Sequence, residues 1–330
     1  MIHPKLPKST ISNINQIHTW TKYDNNLTLG VGDIQLSEKL GKYCINMVPA
    51  LPNYTNQIFG EFDKNGIPLI GKGNYSIYFS ITIAQYGFIL HDIWIENKHL
   101  TEYYEVMLNC LDWFENNKEE FNGTFAWRCP SEGGHYPMSK GWTSAMAQGE
   151  IISFYLRMYQ ILKDESLLET ARKAYKYMKI EVKDGGVCRY DEHGDLWLEE
   201  YPTTDRPSYV LNGFIYAVFG LFDLYRVTGD TEVKKDIDAC ILTLKKNIHT
   251  YDAGYWSYYD HYYKELVMYY YQKNVHVPQL EALFGLTKEP IFLKYAVKWK
   301  KQLTWYNYTF VQIMYRVLPR YRKLLQLLKK

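Results

Sequence analysis

Val210-Leu211-Asn212-Gly213-Phe214-Ile215-Tyr216 opens an apolar segment that runs to a polar break at Thr228-Gly229-Asp230, where a second helical pattern begins. Apolar residues recur there at three- and four-residue spacing, the period of a helix. The arrangement occurs three more times. Gln85 follows Ala84, Gln148 follows Ala147 and Gln279 follows Pro278, so that with Asn212 an amide stands near a helix start at intervals of 63, 64 and 67 residues. The other breaks are Glu96-Asn97-Lys98, Lys163-Asp164-Glu165 and Lys288-Glu289-Pro290. Four helical hairpins with a period longer than that of common solenoid repeats predict a mainly α fold, an incomplete (α/α) toroid with a concave centre. Gln85, Gln148, Asn212 and Gln279 are expected to point into that centre, where amides read hydroxyl-rich ligands. Each alone would only satisfy local backbone groups.

Working outward, the toroid is assigned to residues 78–330 and a smaller N-terminal segment to residues 1–77. Within that segment, residues 57–71 read as a β-hairpin: Phe59 and Phe62 precede an Asp63-Lys64-Asn65-Gly66 turn, and Ile67, Leu69 and Ile70 follow it. A second hairpin is expected around Glu192-His193-Gly194-Asp195, between Gly186–Tyr190 and Leu196–Leu198. It would deliver Glu199-Glu200-Tyr201-Pro202-Thr203-Thr204 to the mouth of the ring.

The 38 basic and 36 acidic residues leave a net charge of +2, which gives no global field for nucleic acid. Five cysteines, odd in number and widely spaced, fit neither a disulfide framework nor a zinc site and point to a reducing compartment. Met1 to Gln16 lacks the apolar core of a signal peptide, and the chain is expected to be soluble and cytoplasmic. The end of the chain alternates leucines with Arg320, Arg322, Lys323, Lys329 and Lys330 at helical spacing, a pattern that fits a solvated helix end or peripheral contact with an anionic membrane. Tyrosine is the compositional outlier, with 32 residues, and its flat apolar ring with a polar tip suits a carbohydrate groove as well as ordinary packing. No Gly-rich phosphate loop, Gly-x-Ser-x-Gly elbow, His-Glu-x-x-His or other metal-ligand spacing occurs, so neither metal nor cofactor is expected.

Glu199–Thr204, Tyr209–Tyr216 and, upstream, Gly141-Trp142-Thr143-Ser144-Ala145-Met146-Ala147-Gln148-Gly149 resemble the catalytic domain of the D-glucuronyl C5-epimerases, strongly from about Gly141 to Leu303 and weakly before. The resemblance implies an (α/α) barrel, conversion of glucuronate to iduronate residues within a glycan during polysaccharide biosynthesis, and a homodimer. Its catalytic positions fall on Glu200 and Tyr201, on Tyr259 of the Tyr259-Asp260 pair that follows Tyr251-Asp252-Ala253-Gly254, and on a tyrosine preceding His276-Val277-Pro278-Gln279-Leu280. Two departures stand out. Gln272 occupies the family's tyrosine position four residues before the histidine, and Tyr271 lies one residue further away, so that only a one-residue insertion would restore it. Tyr262 stands where the family has an arginine, and Arg206 is the candidate cation in its place.

Removing the C5 proton of a uronate leaves an enediolate, which needs donors at the carboxyl oxygens, and inversion needs an acid on the opposite face. The expectation places Glu200 on one face, with Tyr201 orienting or sharing its proton, and Tyr259 or Tyr271 on the other, Tyr259 being preferred. Gln85, Gln148, Arg206, Asn212, His276 and Gln279 are the expected substrate contacts. Three other readings share these features: a polysaccharide lyase, a glycosidase using Glu200 and Asp260, and a glycan-binding module without turnover.

Overall fold

The computed structural model describes residues 27–55 and 60–328, and within the last helix the side chains up to Tyr315 and that of Val317. The chain begins with a two-stranded ladder, β1 (Gly30–Val31) and β2 (Ile45–Asn46), a 3-10 turn at Val48–Ala50 and helix α1 (Leu51–Thr55). Strands β3 (Leu69–Ile70) and β4 (Ile77–Tyr78) lead into the first helical hairpin, α2 (Ser80–Glu96) and α3 (Thr101–Asn117). Strands β5 (Glu119–Phe121) and β6 (Thr124–Ala126) precede the second, α4 (Ala145–Leu162) and α5 (Glu165–Met178). Strands β7 (Cys188–Tyr190) and β8 (Leu196–Leu198) precede the third, α6 (Leu211–Thr228) and α7 (Thr231–Asn247). A short α8 (Tyr269–Tyr271) and a π-turn at Gln272–His276 enter the fourth, α9 (Val277–Thr287) and α10 (Pro290–Lys301), and α11 (Trp305–Leu328) follows. The described strands pair in twos, all antiparallel.

The four helical hairpins are those expected from the amide repeat. Three of them turn in the same way. Lys163, Gly229 and Lys288 each adopt the left-handed conformation just after an inner helix, with φ of 60°, 64° and 59°, and the next residue caps the outer helix. Asp164 and Asp230 do so through their carboxylates, each accepting a hydrogen bond of 2.9 Å from the second residue on.

The inner helices differ from the outer ones in burial. Every residue of α4 from Ala145 to Met158 and of α6 from Leu211 to Leu224 is buried, whereas α5 buries only a stripe that includes Leu167, Ala171, Ala174 and Met178. Helices α4 and α6 are in backbone contact: a Cβ on Gly149 would lie 2.6 Å from the Cα of Ala217, and one on Gly220 would lie 2.3 Å from the carbonyl oxygen of Gly149. Glycine at both positions sets how closely the inner wall closes.

The N-terminal stretch completes the ring. The β1–β2 ladder packs on α9 and the 3-10 turn packs on α2, which bridges the fourth hairpin to the first. Tyr43 stacks on Phe88 of α2 with ring centroids 3.9 Å apart. A buried ion pair between Arg157 and Asp223 (2.6 Å) ties α4 to α6, and Arg157 and Arg226 donate to the backbone carbonyls of Gly41, Lys42, Ser37 and Lys39. Leu29, Tyr43, Ile45 and Met47 thereby belong to the same core as the inner helices.

The hairpin expected around residues 192–195 forms, with Cys188 opposite Leu198 and Tyr190 opposite Leu196. The hairpin expected over residues 57–71 forms across its turn. Asp63 accepts hydrogen bonds from the backbone of Asn65 and Ile67, Phe62 pairs antiparallel with Pro68, and the Leu69 N–H donates to the Glu61 carbonyl (2.8 Å). Leu69 and Ile70 pair on their other side with β4. Residues 57–59, with Phe59, lie outside the described residues, as do Met1–Gln16, the side chains of Arg320, Arg322 and Lys323, and Lys329 and Lys330.

Candidate active site

Strand β8 delivers two consecutive carboxylates that point to opposite sides. Glu199 is structural. Its carboxylate takes hydrogen bonds from Arg189 Nε (3.0 Å), Ser208 Oγ (2.5 Å) and the backbone N–H of Tyr209 (2.9 Å), which clamp the loop against the start of α6. Tyr209 itself has φ of 44°, unusual for a residue with a bulky side chain, and its ring stacks on Trp197 at 4.1 Å.

Glu200 faces inward. The Tyr259 hydroxyl donates to one carboxyl oxygen (3.2 Å) and the Asn212 amide to the other (3.3 Å). Gly213 makes room for it, since a Cβ there would lie 2.2 Å from Glu200 Oε2. Burial raises the Glu200 pKa to about 7, although hydrogen bonds from Tyr259 and Tyr201 favour the charged form. At neutral pH the group is therefore present in both forms, as a general base or acid requires. The phenols around it behave otherwise: burial, and then the Glu200 charge, push Tyr201, Tyr259 and Tyr271 above the ordinary tyrosine range. They are neutral donors.

Tyr201 stacks on Tyr136 at 4.2 Å, and Tyr259 meets Tyr271 edge-on at 5.6 Å. Tyr271 forms part of the wall of a cavity of about 460 Å³, with Asn212, Gln85, Tyr54, Tyr216 and Met146 also lining it. Leu29, Met47 and Ala50 of the N-terminal stretch line the same cavity. That volume lies within the range for a small bound ligand.

The backbone at Gln272–His276 bears on the first departure that the resemblance raised. A π-turn, in which the Val277 N–H bonds to the Gln272 carbonyl five residues back, lies between Tyr271 and the histidine. Such a turn absorbs one extra residue within a helix. Tyr271 consequently reaches the cavity wall, and Gln272 turns into the interior. Gln272 Oε1 accepts from both the backbone N–H and the hydroxyl of Ser257 (2.9 Å each), and its amide donates to the Trp299 carbonyl (3.1 Å).

His276 is not at the cavity, contrary to expectation. It is fully buried, its Nδ1 is 3.0 Å from Ser257 Oγ, and its ring packs on Trp299. Burial lowers its pKa to about 3, so the ring is neutral. With Gln272 it fixes Ser257, two residues before Tyr259.

The four repeated amides divide. Gln85 and Asn212 line the cavity. Gln148 donates to the carbonyls of Phe125 and Ala174 and accepts from the Trp127 N–H, and Gln279 donates to the carbonyl of Asn212. Both are fully buried among backbone groups that need partners, which is why they do not face the ligand space. Arg206 also lies off the cavity: it is exposed, with its guanidinium 3.8 Å above the ring of Tyr262. Asp260 spends its carboxylate on the Tyr136 hydroxyl and on the N–H groups of Tyr263 and Lys264.

One group was missed from sequence. Glu150, inside the apolar run of α4, is completely buried and takes one hydrogen bond, from Gln85 (3.0 Å), while its other oxygen has no partner among the described residues. Burial raises its pKa well above the carboxylate range, so it is a neutral acid that holds the Gln85 amide at the cavity. A lone acid among apolar residues of a helix was the available signal.

Residues 118–301, more than half of the chain, match the family described as D-glucuronyl C5-epimerase C-terminus. The chain belongs to that family. It is 34% identical over 209 residues to a D-glucuronyl C5-epimerase of Caenorhabditis elegans, covering 57% of this chain and 33% of that protein. It is also 32% identical over 206 residues to an uncharacterised protein of Methanocaldococcus jannaschii, covering 61% of this chain and 65% of the other. The epimerase-family chain thus spans a third of the nematode protein and less than two thirds of the archaeal one. Its toroidal fold is shared with cellobiose 2-epimerase from Spirochaeta thermophila, at a TM-score of 0.52 and 11% identity over 77% of this chain and 66% of that one.

Proposed function

We propose that the chain inverts C5 of a glucuronate residue in a glycan, with Glu200 as the base and Tyr271 as the acid of the opposite face. The observation that carries this reading is the buried Glu200 carboxyl, held by Tyr259 and by Asn212, which itself lines a cavity that has Tyr271 in its wall. Glu200 takes the C5 proton. The electron pair moves onto the substrate carboxyl group, where Asn212 and Gln85 are the nearby amide donors, and no Lys or Arg is among the described residues lining the cavity. The Tyr271 hydroxyl then gives its proton to C5 from the other face, and the resulting phenolate and the protonated Glu200 return to their starting states by exchange with solvent.

Tyr259 takes a different role from the one its sequence position suggested. Its hydroxyl is bonded to Glu200, so the two groups act from the same side, and Tyr259 tunes and orients the base rather than opposing it. The same first step would serve a lyase, which expels the C4 substituent instead of reprotonating. Proton NMR of glucuronate-containing oligosaccharides in deuterated water separates the two. Deuterium at C5 with iduronate signals is the expected result, whereas an unsaturated uronate product, or no exchange with any oligosaccharide, would overturn the reading.

A further inference from the structure

Charge is distributed unevenly along the chain. Residues 290–330 contain ten Lys and Arg and no Asp or Glu, a net of +10, against −8 for residues 1–289. Most of this segment is α11, a helix of 24 residues that extends about 36 Å at 1.5 Å per residue. One face of α11 is committed to the body of the protein: Val311 is fully buried beside Trp256, Leu266 and Val267, Tyr315 donates to the Leu266 carbonyl (2.5 Å), and Asn307 donates to that of Tyr255 (2.7 Å).

The other face is apolar and open. Tyr306, Phe310, Ile313 and Val317 follow one another at spacings of four, three and four residues, which places them on one stripe, and they are 60%, 44%, 53% and 47% exposed. Trp305 at the helix start is 67% exposed. On the neighbouring α10, Leu293 and Val297, four residues apart, are exposed as well. A polyanionic sugar chain would match the basic charge but has no use for Ile313 and Val317, whereas a phospholipid surface matches both. No described helix is long and apolar enough to cross a membrane.

We propose that the exposed face of α11 is a docking surface for an anionic phospholipid membrane, on which the helix lies in the plane of the headgroups with its apolar stripe inserted. The basic residues of the segment other than Lys298 and Lys300, which pair with Asp252 and Glu281, supply the attraction, each worth about 1 kcal/mol near such a surface, and the stripe supplies the insertion. The test is flotation of the full chain with vesicles of phosphatidylcholine alone or with 30% phosphatidylglycerol, at about 0.1 M and 0.5 M salt, between which the Debye length shrinks about twofold. Wild-type protein is expected to float only with the anionic vesicles at low salt, with a blue shift of tryptophan emission. The double variant Phe310→Asp/Ile313→Asp should lose at least tenfold in vesicle affinity while exchanging the C5 proton of soluble oligosaccharides as before. Equal binding to neutral vesicles would overturn the proposal, as would no binding to either. Absence of flotation together with a self-association abolished by the double variant would reassign the face to a second copy of the chain. Absence of flotation with salt-sensitive binding of a soluble glucuronate polymer would reassign it to the glycan.

Discussion

The loop that carries Glu200 backs Asn212 of the cavity lining, the turn that carries Tyr271 lines the cavity itself, and these two walls, one behind the lining and one within it, are built by opposite means. The first is a rigid strand exit: Glu199 clamps the loop to Arg189, Ser208 and Tyr209, and the next residue, Glu200, packs against Gly213. The second is a helix entry that departs from regular geometry, with a π-turn displacing Tyr271 by one position and burying Gln272. A wall made by sequence-adjacent residues conserves its register automatically. A wall made by a helical irregularity depends on the side chains that pin it, here Gln272 and His276 on Ser257.

Perturbing the Glu200 wall should give the largest effects. Glu200→Gln is expected to lower C5 exchange by about 10³-fold, the scale of a lost general base. The same variant should unfold at a higher temperature than wild type above pH 7. The raised Glu200 pKa means that its contribution to stability is complete below about pH 4.5 and is lost as pH rises through about 7. Thermal melts at pH 5 and pH 8 would check this, since the gain should appear only at the higher pH. Gly213→Ala comes next. A Cβ at that position would lie 2.4 Å from Glu200 Cβ, so the carboxylate must move, and a loss of about 1–3 kcal/mol in urea unfolding together with a drop in exchange of tenfold or more is expected.

The Tyr271 wall is tested through its pin. Gln272→Ala removes the acceptor of the buried Ser257 N–H, which should cost about 1–3 kcal/mol in stability. Its effect on product should exceed its effect on exchange, because it loosens Tyr271 and leaves Glu200 in place. The smallest effect belongs to Tyr259, which joins the walls. Tyr259→Phe deletes a donor that favours ionised Glu200, so the acid limb of the pH–rate profile should move upward by roughly one unit. A downward shift would contradict the role given to that hydroxyl.

The two walls were also unequally legible in the sequence. The amide repeat and the polar breaks gave the four hairpins, because helix caps and left-handed turn residues are local signals. Glu200 and Tyr201 were marked only by the family resemblance of the Glu199–Thr204 run. The destination of each amide was not: Gln148 and Gln279 serve carbonyls far away in the chain, and only the assembled ring decides which amides face the cavity. The role of the N-terminal stretch in closing the ring rests on Arg157 and Arg226 reaching carbonyls more than a hundred residues away, which no local pattern encodes. The displacement of Tyr271 was visible as a misalignment, but the π-turn that accommodates it is a property of the folded backbone.

The proposed opposition of Glu200 and Tyr271 is tested most directly by Tyr271→Phe with a glucuronate oligosaccharide in deuterated water. With Glu200 intact and the opposite acid removed, deuterium should enter C5 of recovered glucuronate while iduronate formation falls at least a hundredfold. Iduronate formed at the wild-type rate by this variant would contradict the assignment.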